Sequence, residues 1–144
     1  MKKYKKGYTQ GVYDMFHVGH LNLINKAKEQ CDYLVVGVNS DRLVEEYKHK
    51  STVVDEQDRA EIVRNIKAVD ESVIVDTLDK VVSLQKFHYD AIFIGDDWYG
   101  NPRWMATKRE LAKYGVDVVF LPHTQGVSST ELRTQTGNRV HEKE

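Results

Sequence analysis

The chain has 144 residues, with 21 lysines and arginines against 22 aspartates and glutamates and a formal net charge of −1. This balance gives no reason to expect nucleic-acid binding, no run approaches the ~20 apolar residues of a membrane span, and the N-terminus lacks the apolar core of a signal peptide. A single cysteine, Cys31, excludes an internal disulfide framework and favours a reducing compartment. We therefore expect a cytoplasmic protein, with residues 1–144 forming one domain and a frayed polar tail after about residue 137.

Short β-rich runs alternate with longer segments of helical spacing. The basic N-terminal run Lys2–Lys6 is expected to be a solvated end. Strands are predicted at Tyr8–Val12, Tyr33–Val38, Ser72–Val75, Ala91–Ile94 and Val116–Leu121. Helices are predicted over His20–Lys28, from an N-cap at Asp55 to Ala68, and from about Arg103 to Gly115, with a long irregular connection over residues 47–59.

The strand sequences YLVVGV and AIFIG are apolar throughout, which is typical of strands buried on both faces of a parallel sheet. Their alternation with helices predicts an α/β fold, a Rossmann-like doubly wound parallel sheet of about five strands with helices on both faces. Such sheets bind ligands beyond the carboxyl ends of the strands, where the strand order reverses. Functional residues are therefore expected just after strands.

Two histidines, His17 and His20, flank Gly19 where the first strand gives way to a helix. A helix N-terminus offers N–H groups and a positive dipole end to phosphate, and histidines there can stabilise charge that develops during a transfer reaction. Zinc binding is a weaker alternative, because no further ligands have suitable spacing. Two purely structural histidines are the other alternative for this pair.

A second candidate segment, from His123 to Thr130, follows the last predicted strand. Its serines and Thr130 are typical helix N-caps, and Gly126 permits a tight turn. Hydroxyl and backbone N–H groups at such a place can hold phosphate, although a simple helix cap explains the same residues.

Three motifs resemble those of the HxGH nucleotidyltransferase superfamily. The stretch GVYDMFHVGH is similar to its first signature, in which two histidines bind the nucleotide phosphates, and HTQGVSST is similar to its second. The stretch IGDDWYG resembles the G-D-D-W-x-G motif of bacterial glycerol-3-phosphate cytidylyltransferases, and the resemblance extends over about residues 7–133. The chain departs from the family at His123 and Lys67, where the family has arginines with a permanent charge.

The resemblance implies the following site residues. Catalytic roles fall on His17, His20, Lys48 and Lys50. Nucleotide-binding roles fall on Gly11, Val12, Tyr13, Asp14, Gly19, Arg59, Asp96, His123, Thr124, Gly126, Val127, Ser128, Ser129 and Thr130. Substrate binding falls on Asp97 and Trp98, for which a solvated turn and a packed aromatic are the structural alternatives.

The resemblance also implies a reaction. A cytidylyltransferase of this kind joins CTP and glycerol 3-phosphate by in-line attack on the α-phosphate, giving CDP-glycerol and pyrophosphate, a precursor for teichoic acid or capsule synthesis. It implies Mg²⁺ bound with the CTP and a homodimer. Three alternatives stay open: another alcohol phosphate (phosphocholine, phosphoethanolamine or a sugar phosphate), ATP as the nucleotide, and a nucleotide-binding module without turnover.

Overall fold

Five parallel strands form one sheet in the order β3-β2-β1-β4-β5. The structure is a computed structural model that describes residues 2–122. The strands are β1 Tyr4–Gly11, β2 Cys31–Asn39, β3 Glu71–Val75, β4 Ala91–Gly95 and β5 Asp117–Leu121. The helices are α1 Val18–Glu29, α2 Asp41–Lys48, α3 Glu56–Arg64, α4 Lys80–Phe87 and α5 Pro102–Ala112, with a 3₁₀ turn at Asp96–Trp98.

Helices cover both faces of the sheet, as predicted for a doubly wound fold. One buried core contains Ile24 and Ala27 of α1 with Val63 of α3. The other contains Phe87 of α4 and Leu111 of α5. The predicted α/β fold with a Rossmann-like parallel sheet of five strands is therefore confirmed. Within residues 2–122, no helix has the length and apolar character needed to cross a membrane.

The N-terminal basic run is not the solvated end that its charge suggested. Tyr4 is buried and begins β1, where it pairs with Cys31 of β2. Its hydroxyl donates a hydrogen bond of 2.7 Å to Asp117 Oδ2. The lysines of this run therefore flank the first residues of a central strand.

Two short helices, α2 and α4, were missed by the sequence prediction. Helix α2 contains Lys48, and α3 contains Arg59, so the irregular connection is shorter than the predicted 47–59. Both α2 and α4 have only eight residues, too few for apolar periodicity to be visible. Helix α3 begins after its predicted N-cap Asp55 but ends at Arg64, four residues before the predicted end.

The second candidate segment and the polar tail lie outside the residues that the structure describes. This applies to His123, Thr124, Gly126, Val127, Ser128, Ser129 and Thr130.

Candidate active site

The strand order reverses between β1 and β4, which are neighbours at the centre of the sheet. Their pairing covers only Gly7 with Ala91 and Tyr8 with Ile92, although β1 continues to Gly11 and β4 to Gly95. The carboxyl ends of these two strands are therefore not paired with each other. This is the place where an open parallel sheet forms a ligand crevice.

Both signature histidines lie at the start of α1, next to this crevice. His17 is the N-cap, and its Nδ1 accepts a hydrogen bond of 3.0 Å from the Gly19 N–H. His20 Nδ1 accepts one of 3.3 Å from the His17 N–H, so the two side chains form a capping box. Their rings stack with centroids 3.9 Å apart.

The capping box determines the tautomer of both histidines. Since each Nδ1 accepts a hydrogen bond from a backbone N–H, each neutral ring carries its own proton on Nε2. An Nε2–H group is a hydrogen-bond donor that suits a phosphate oxygen. Phosphate binding by the pair stays a prediction, and the sequence reasoning missed that His17 and His20 cap the helix.

The turn that leads from β1 to these histidines has a strained backbone. Tyr13 and Met15 have φ angles of 58° and 49°, in the left-handed region that is unfavourable for side chains of this size. Tyr13 is buried and meets the edge of the His20 ring at a centroid distance of 5.4 Å. A Cβ atom on Gly11 would lie 3.1 Å from the Tyr13 ring, so the glycine allows this packing.

Asp14 holds the connection between α2 and α3. Its carboxylate is fully buried and accepts hydrogen bonds from the backbone N–H groups of Val53 (2.8 Å) and Val54 (2.9 Å). The predicted nucleotide contact of Asp14 is not tested, but these bonds give the residue a role within the protein.

Arg59, which was predicted to contact the nucleotide, lies inside the protein. Its side chain is fully buried, and its guanidinium donates to the carbonyl oxygens of Val12, Asn39 and Val54. It also forms an ion pair with Asp41. A direct phosphate contact of Arg59 stays an untested prediction.

Lys48 and Lys50 lie on the segment that Asp14 and Arg59 hold. Lys48 ends α2, and His49 follows as its left-handed C-cap with a φ of 58°. The Lys50 ammonium is buried. The segment follows the carboxyl end of β2, so it belongs to the same edge of the sheet as the histidines.

The GDDW motif forms a 3₁₀ turn directly after β4. Asp96 and Asp97 are exposed, and Trp98 is half-buried against the core on the α4 and α5 face. The Arg103 guanidinium lies 5.8 Å from the centroid of the Trp98 ring. The motif is therefore at the predicted edge, where the end of β1 does not pair with β4.

Two further cations at this edge, Lys80 and Arg103, were missed by sequence reasoning. Lys80 begins α4 behind the N-cap Asp79, and its ammonium donates to the Leu78 carbonyl oxygen (2.7 Å) and lies 5.3 Å from the Trp104 ring centroid. Burial, and then the nearby charge of Arg103, lower the pKa of Lys80 to about 8, against the opposing effect of Asp79. An aspartate N-cap after a strand was the one signal in the sequence that pointed to this helix start.

A chain of polar side chains crosses the carboxyl ends of β1 and β2. The Tyr8 hydroxyl donates to Gln10 Oε1 (2.7 Å), and Gln10 Nε2 donates to Asn39 Oδ1 (2.8 Å) and to the Thr77 carbonyl oxygen (3.0 Å). Asn39 Nδ2 in turn donates to the Tyr47 hydroxyl (3.1 Å). These bonds connect the ends of the strands to α2, next to Lys48.

The sheet thus has a crevice at its central reversal of strand order, with the histidine-capped start of α1 beside it. A family model described as cytidylyltransferase-like matches residues 8–135, and the chain belongs to this family.

Relatives of similar length carry a more specific name. The glycerol-3-phosphate cytidylyltransferase of Bacillus spizizenii is 34% identical over 130 residues, which cover 90% of this chain and 95% of that protein. The protein of the same name from Staphylococcus aureus is 32% identical over 133 residues, which cover 91% of this chain and 94% of that protein.

A longer relative is also similar. The Bifunctional protein HldE of Koribacter versatilis is 35% identical over 125 residues, but these cover only 25% of its length.

A solved structure has the same fold. The crystal structure of the lipopolysaccharide core biosynthesis protein from Thermoplasma volcanium has a TM-score of 0.69 with 22% identity, and the match covers 84% of this chain and 97% of that one.

Proposed function

We propose that this chain transfers the cytidylyl group of CTP to glycerol 3-phosphate, giving CDP-glycerol and pyrophosphate. The observation that carries the proposal is the similarity, over nearly the full length of both chains, to two proteins named glycerol-3-phosphate cytidylyltransferase. Both of these relatives match over nearly their whole length and carry the same name, so a different alcohol phosphate is not favoured. The product would serve as a precursor for teichoic acid or capsule synthesis.

The reaction is a single displacement. An oxygen of the acceptor phosphate attacks the α-phosphorus of CTP, the bond to the bridging oxygen of the β-phosphate breaks, and pyrophosphate leaves. Catalysis then consists of positioning and of stabilising negative charge in the transition state. We assign the Nε2–H groups of His17 and His20 to the α-phosphate oxygens, and Lys48 and Lys50 to the neutralisation of phosphate.

The nucleotide lies, in this proposal, across the crevice between β1 and β4. Backbone groups of Gly11, Val12, Tyr13 and Gly19 let it approach the sheet, and Asp96 contacts it from the end of β4. The β- and γ-phosphates are assigned to His123, Thr124, Gly126, Val127, Ser128, Ser129 and Thr130.

The acceptor is assigned to the α4 and α5 side of the same edge. Asp97 and Trp98 retain their predicted substrate contacts, and Lys80 and Arg103 are added to them. The nearby charge of Arg103 lowers the pKa of Lys80, and two neighbouring cations of this kind favour a bound dianion, which a phosphate monoester supplies near neutral pH.

A divalent cation, Mg²⁺, is expected to bind together with CTP. Mg²⁺ commonly uses one or two carboxylates and substrate phosphates and needs no dedicated protein cage. Residues 2–122 contain no group of three or more His, Cys, Asp or Glu side chains that could hold an ion alone. The ion would therefore be held mainly by the triphosphate, with Asp96 or Asp97 as the protein ligand. It would supply positive charge that neutralises the phosphates.

The remaining assignments complete the proposal. The chain is expected to act as a homodimer, as one domain over residues 1–144, and in the cytoplasm, where CTP is available.

An acceptor panel tests the proposed function. Pyrophosphate release is measured with CTP or ATP and, in turn, glycerol 3-phosphate, phosphocholine, phosphoethanolamine and a sugar phosphate. The highest kcat/KM is expected for CTP with glycerol 3-phosphate. A higher value for another acceptor would replace the substrate, and CTP binding without turnover on any acceptor would favour a nucleotide-binding module.

A further inference from the structure

We propose that Arg59 is a positioning residue for the transfer reaction, which acts by holding the Lys48–Lys50 segment in place together with Asp14 and Asp41. The inference rests on the proposed function, because it takes these lysines as the groups that meet phosphate. It replaces a direct phosphate contact of Arg59 by an indirect role.

The backbone of Val54 is clamped from both sides. Its N–H donates to Asp14 Oδ1 (2.9 Å), while its carbonyl oxygen accepts from Arg59 Nε (2.8 Å). The neighbouring Val53 N–H donates to the other oxygen of Asp14 (2.8 Å). The connection between α2 and α3 is thus fixed against a carboxylate and a guanidinium that are both buried.

The same guanidinium binds the ends of the two strands that flank the site. Arg59 Nη1 donates to the carbonyl oxygens of Val12 (2.7 Å) and Asn39 (2.8 Å). Val12 follows β1 and leads into the turn with the signature histidines, and Asn39 ends β2. Arg59 therefore sets the distance between the connection and the histidine-bearing turn.

Asp41 closes the segment at its other end. It pairs with Arg59 Nη2 (2.5 Å) and accepts a hydrogen bond from the Thr52 hydroxyl (2.9 Å). The first residues of α2 and α3 also bond reciprocally, Asp41 N–H to Glu56 Oε1 (2.9 Å) and Glu56 N–H to Asp41 Oδ2 (3.2 Å). Lys48 and Lys50 consequently lie within a closed loop whose two ends meet at one carboxylate.

The chemistry of the clamp requires arginine. Four oxygens, from three carbonyl groups and one carboxylate, surround the planar fork of Arg59. A lysine ammonium has three donors on a flexible stem and cannot reproduce this arrangement.

A double-mutant cycle tests this role. Arg59→Lys keeps the charge and is expected to lower kcat/KM about 100-fold, since a misplacement of about 1 Å costs that much in positioned catalysis. Arg64→Lys, on the same helix at an exposed site paired with Glu61, is the matched control and should stay within about twofold. The Arg59→Lys, Lys50→Ala double variant should lose much less kcat/KM than the product of the two single fold losses, because both substitutions remove the same contribution.

Two outcomes would overturn the proposal. Multiplicative losses would mean that Arg59 acts independently of the lysine segment. An unchanged kcat/KM in both Lys50→Ala and Lys48→Ala would also overturn it, because the segment would then have no role for Arg59 to support.

Limited trypsin digestion of the native protein provides a readout that does not depend on activity. Arg59→Lys, or Asp41→Asn if the first variant does not fold, should speed cleavage after Lys48 and Lys50 about tenfold, while cleavage after Lys113 serves as an internal reference. Equal acceleration at all sites would indicate general destabilisation and would contradict the clamp. If the unsubstituted protein has no transferase activity and Arg59→Lys still speeds cleavage after Lys48 and Lys50, the clamp is supported and the proposed function is rejected.

Discussion

At the scale of single residues, the histidine pair has an observed task, the capping of α1, and a proposed one, the binding of phosphate. The sequence predicted that His17 and His20 meet phosphate, because the motif GVYDMFHVGH follows a strand and precedes a helix. It did not predict that both Nδ1 atoms cap α1, since capping by histidine has no strong sequence signal. The roles of Asp14 and Arg59 within the protein were also beyond the sequence, because both depend on carbonyl and N–H groups distant along the chain.

Replacing His17 by asparagine separates the two tasks. An asparagine oxygen can accept the Gly19 N–H and keep the helix cap, but it offers no Nε2–H to a phosphate. We expect His17→Asn to lower kcat about 10²–10³-fold, while the free energy of unfolding changes by less than about 0.5 kcal/mol. Steady-state pyrophosphate release and urea unfolding measure the two effects.

His17→Ala is the control for His17→Asn, and it should lose both activity and about 1 kcal/mol of the free energy of unfolding. A kcat close to that of the unchanged protein in His17→Asn would show that the ring has only a capping role.

Lys80 makes a pH-dependent prediction. Its folded-state pKa of about 8 means that the ammonium loses its charge as the pH rises through 8. If it binds the acceptor phosphate, KM for the acceptor should rise above that pH, whereas Lys80→Arg should keep a level KM to about pH 10 because guanidinium stays charged. Initial rates from pH 6.5 to 10 would test this, with Lys86→Arg on the exposed side of α4 as the control.

The lowered pKa of Lys80 also makes the free energy of unfolding depend on pH. Between about pH 8 and 10.5 the unfolded chain binds more protons at Lys80 than the folded one, so the contribution of Lys80 to the free energy of unfolding rises with pH in that window.

For the acceptor, a KM that rises with pH equally in Lys80→Arg and in the unchanged protein would mean that Lys80 does not bind the acceptor phosphate.

At the scale of elements, the sequence predicted strongly apolar strands and longer helices and missed two short helices. Strands β2 and β4 were predicted most directly, because YLVVGV and AIFIG are apolar throughout, and α1 was predicted because Ile24 and Ala27 recur at helical spacing. Helices α2 and α4 were missed because each has two turns and ends at a left-handed residue other than glycine, His49 and His88. Without glycine, the sequence showed no stop signal for either helix.

The left-handed C-cap of α4 predicts a stabilising substitution. His88 has a φ of 56° and is exposed, so a glycine would relieve the steric cost of the side chain. We expect His88→Gly to raise the free energy of unfolding by about 0.5–1 kcal/mol. Activity should not change, because His88 precedes β4 and lies at the amino-terminal edge of the sheet, opposite the site.

Urea unfolding of His88→Gly beside His88→Ala would measure the gain. Alanine retains a Cβ and should give no stabilisation, so equal gains in the two variants would mean that the backbone conformation is not the cause.

At the scale of the whole molecule, the fold places the functional residues together although they are far apart in sequence. Parallel strands bring the turns after β1, β2, β3 and β4 to one edge, and the reversal between β1 and β4 opens the crevice. The sequence predicted this edge from the architecture alone. It could not predict which cations meet across the crevice, because Lys80 and Arg103 are brought together only by the packing of α4 and α5 on one face.

The stereochemistry at the α-phosphorus tests the central claim most directly. The enzyme is given one diastereomer of CTP with sulfur on the α-phosphate, together with glycerol 3-phosphate, and the configuration of the CDP-glycerol product is determined by phosphorus NMR. A single in-line displacement, in which the glycerol 3-phosphate oxygen attacks the α-phosphorus opposite the leaving pyrophosphate, predicts inversion. Retention of configuration, which requires a covalent intermediate and a second displacement, would contradict the account, as would the absence of any CDP-glycerol product from CTP itself.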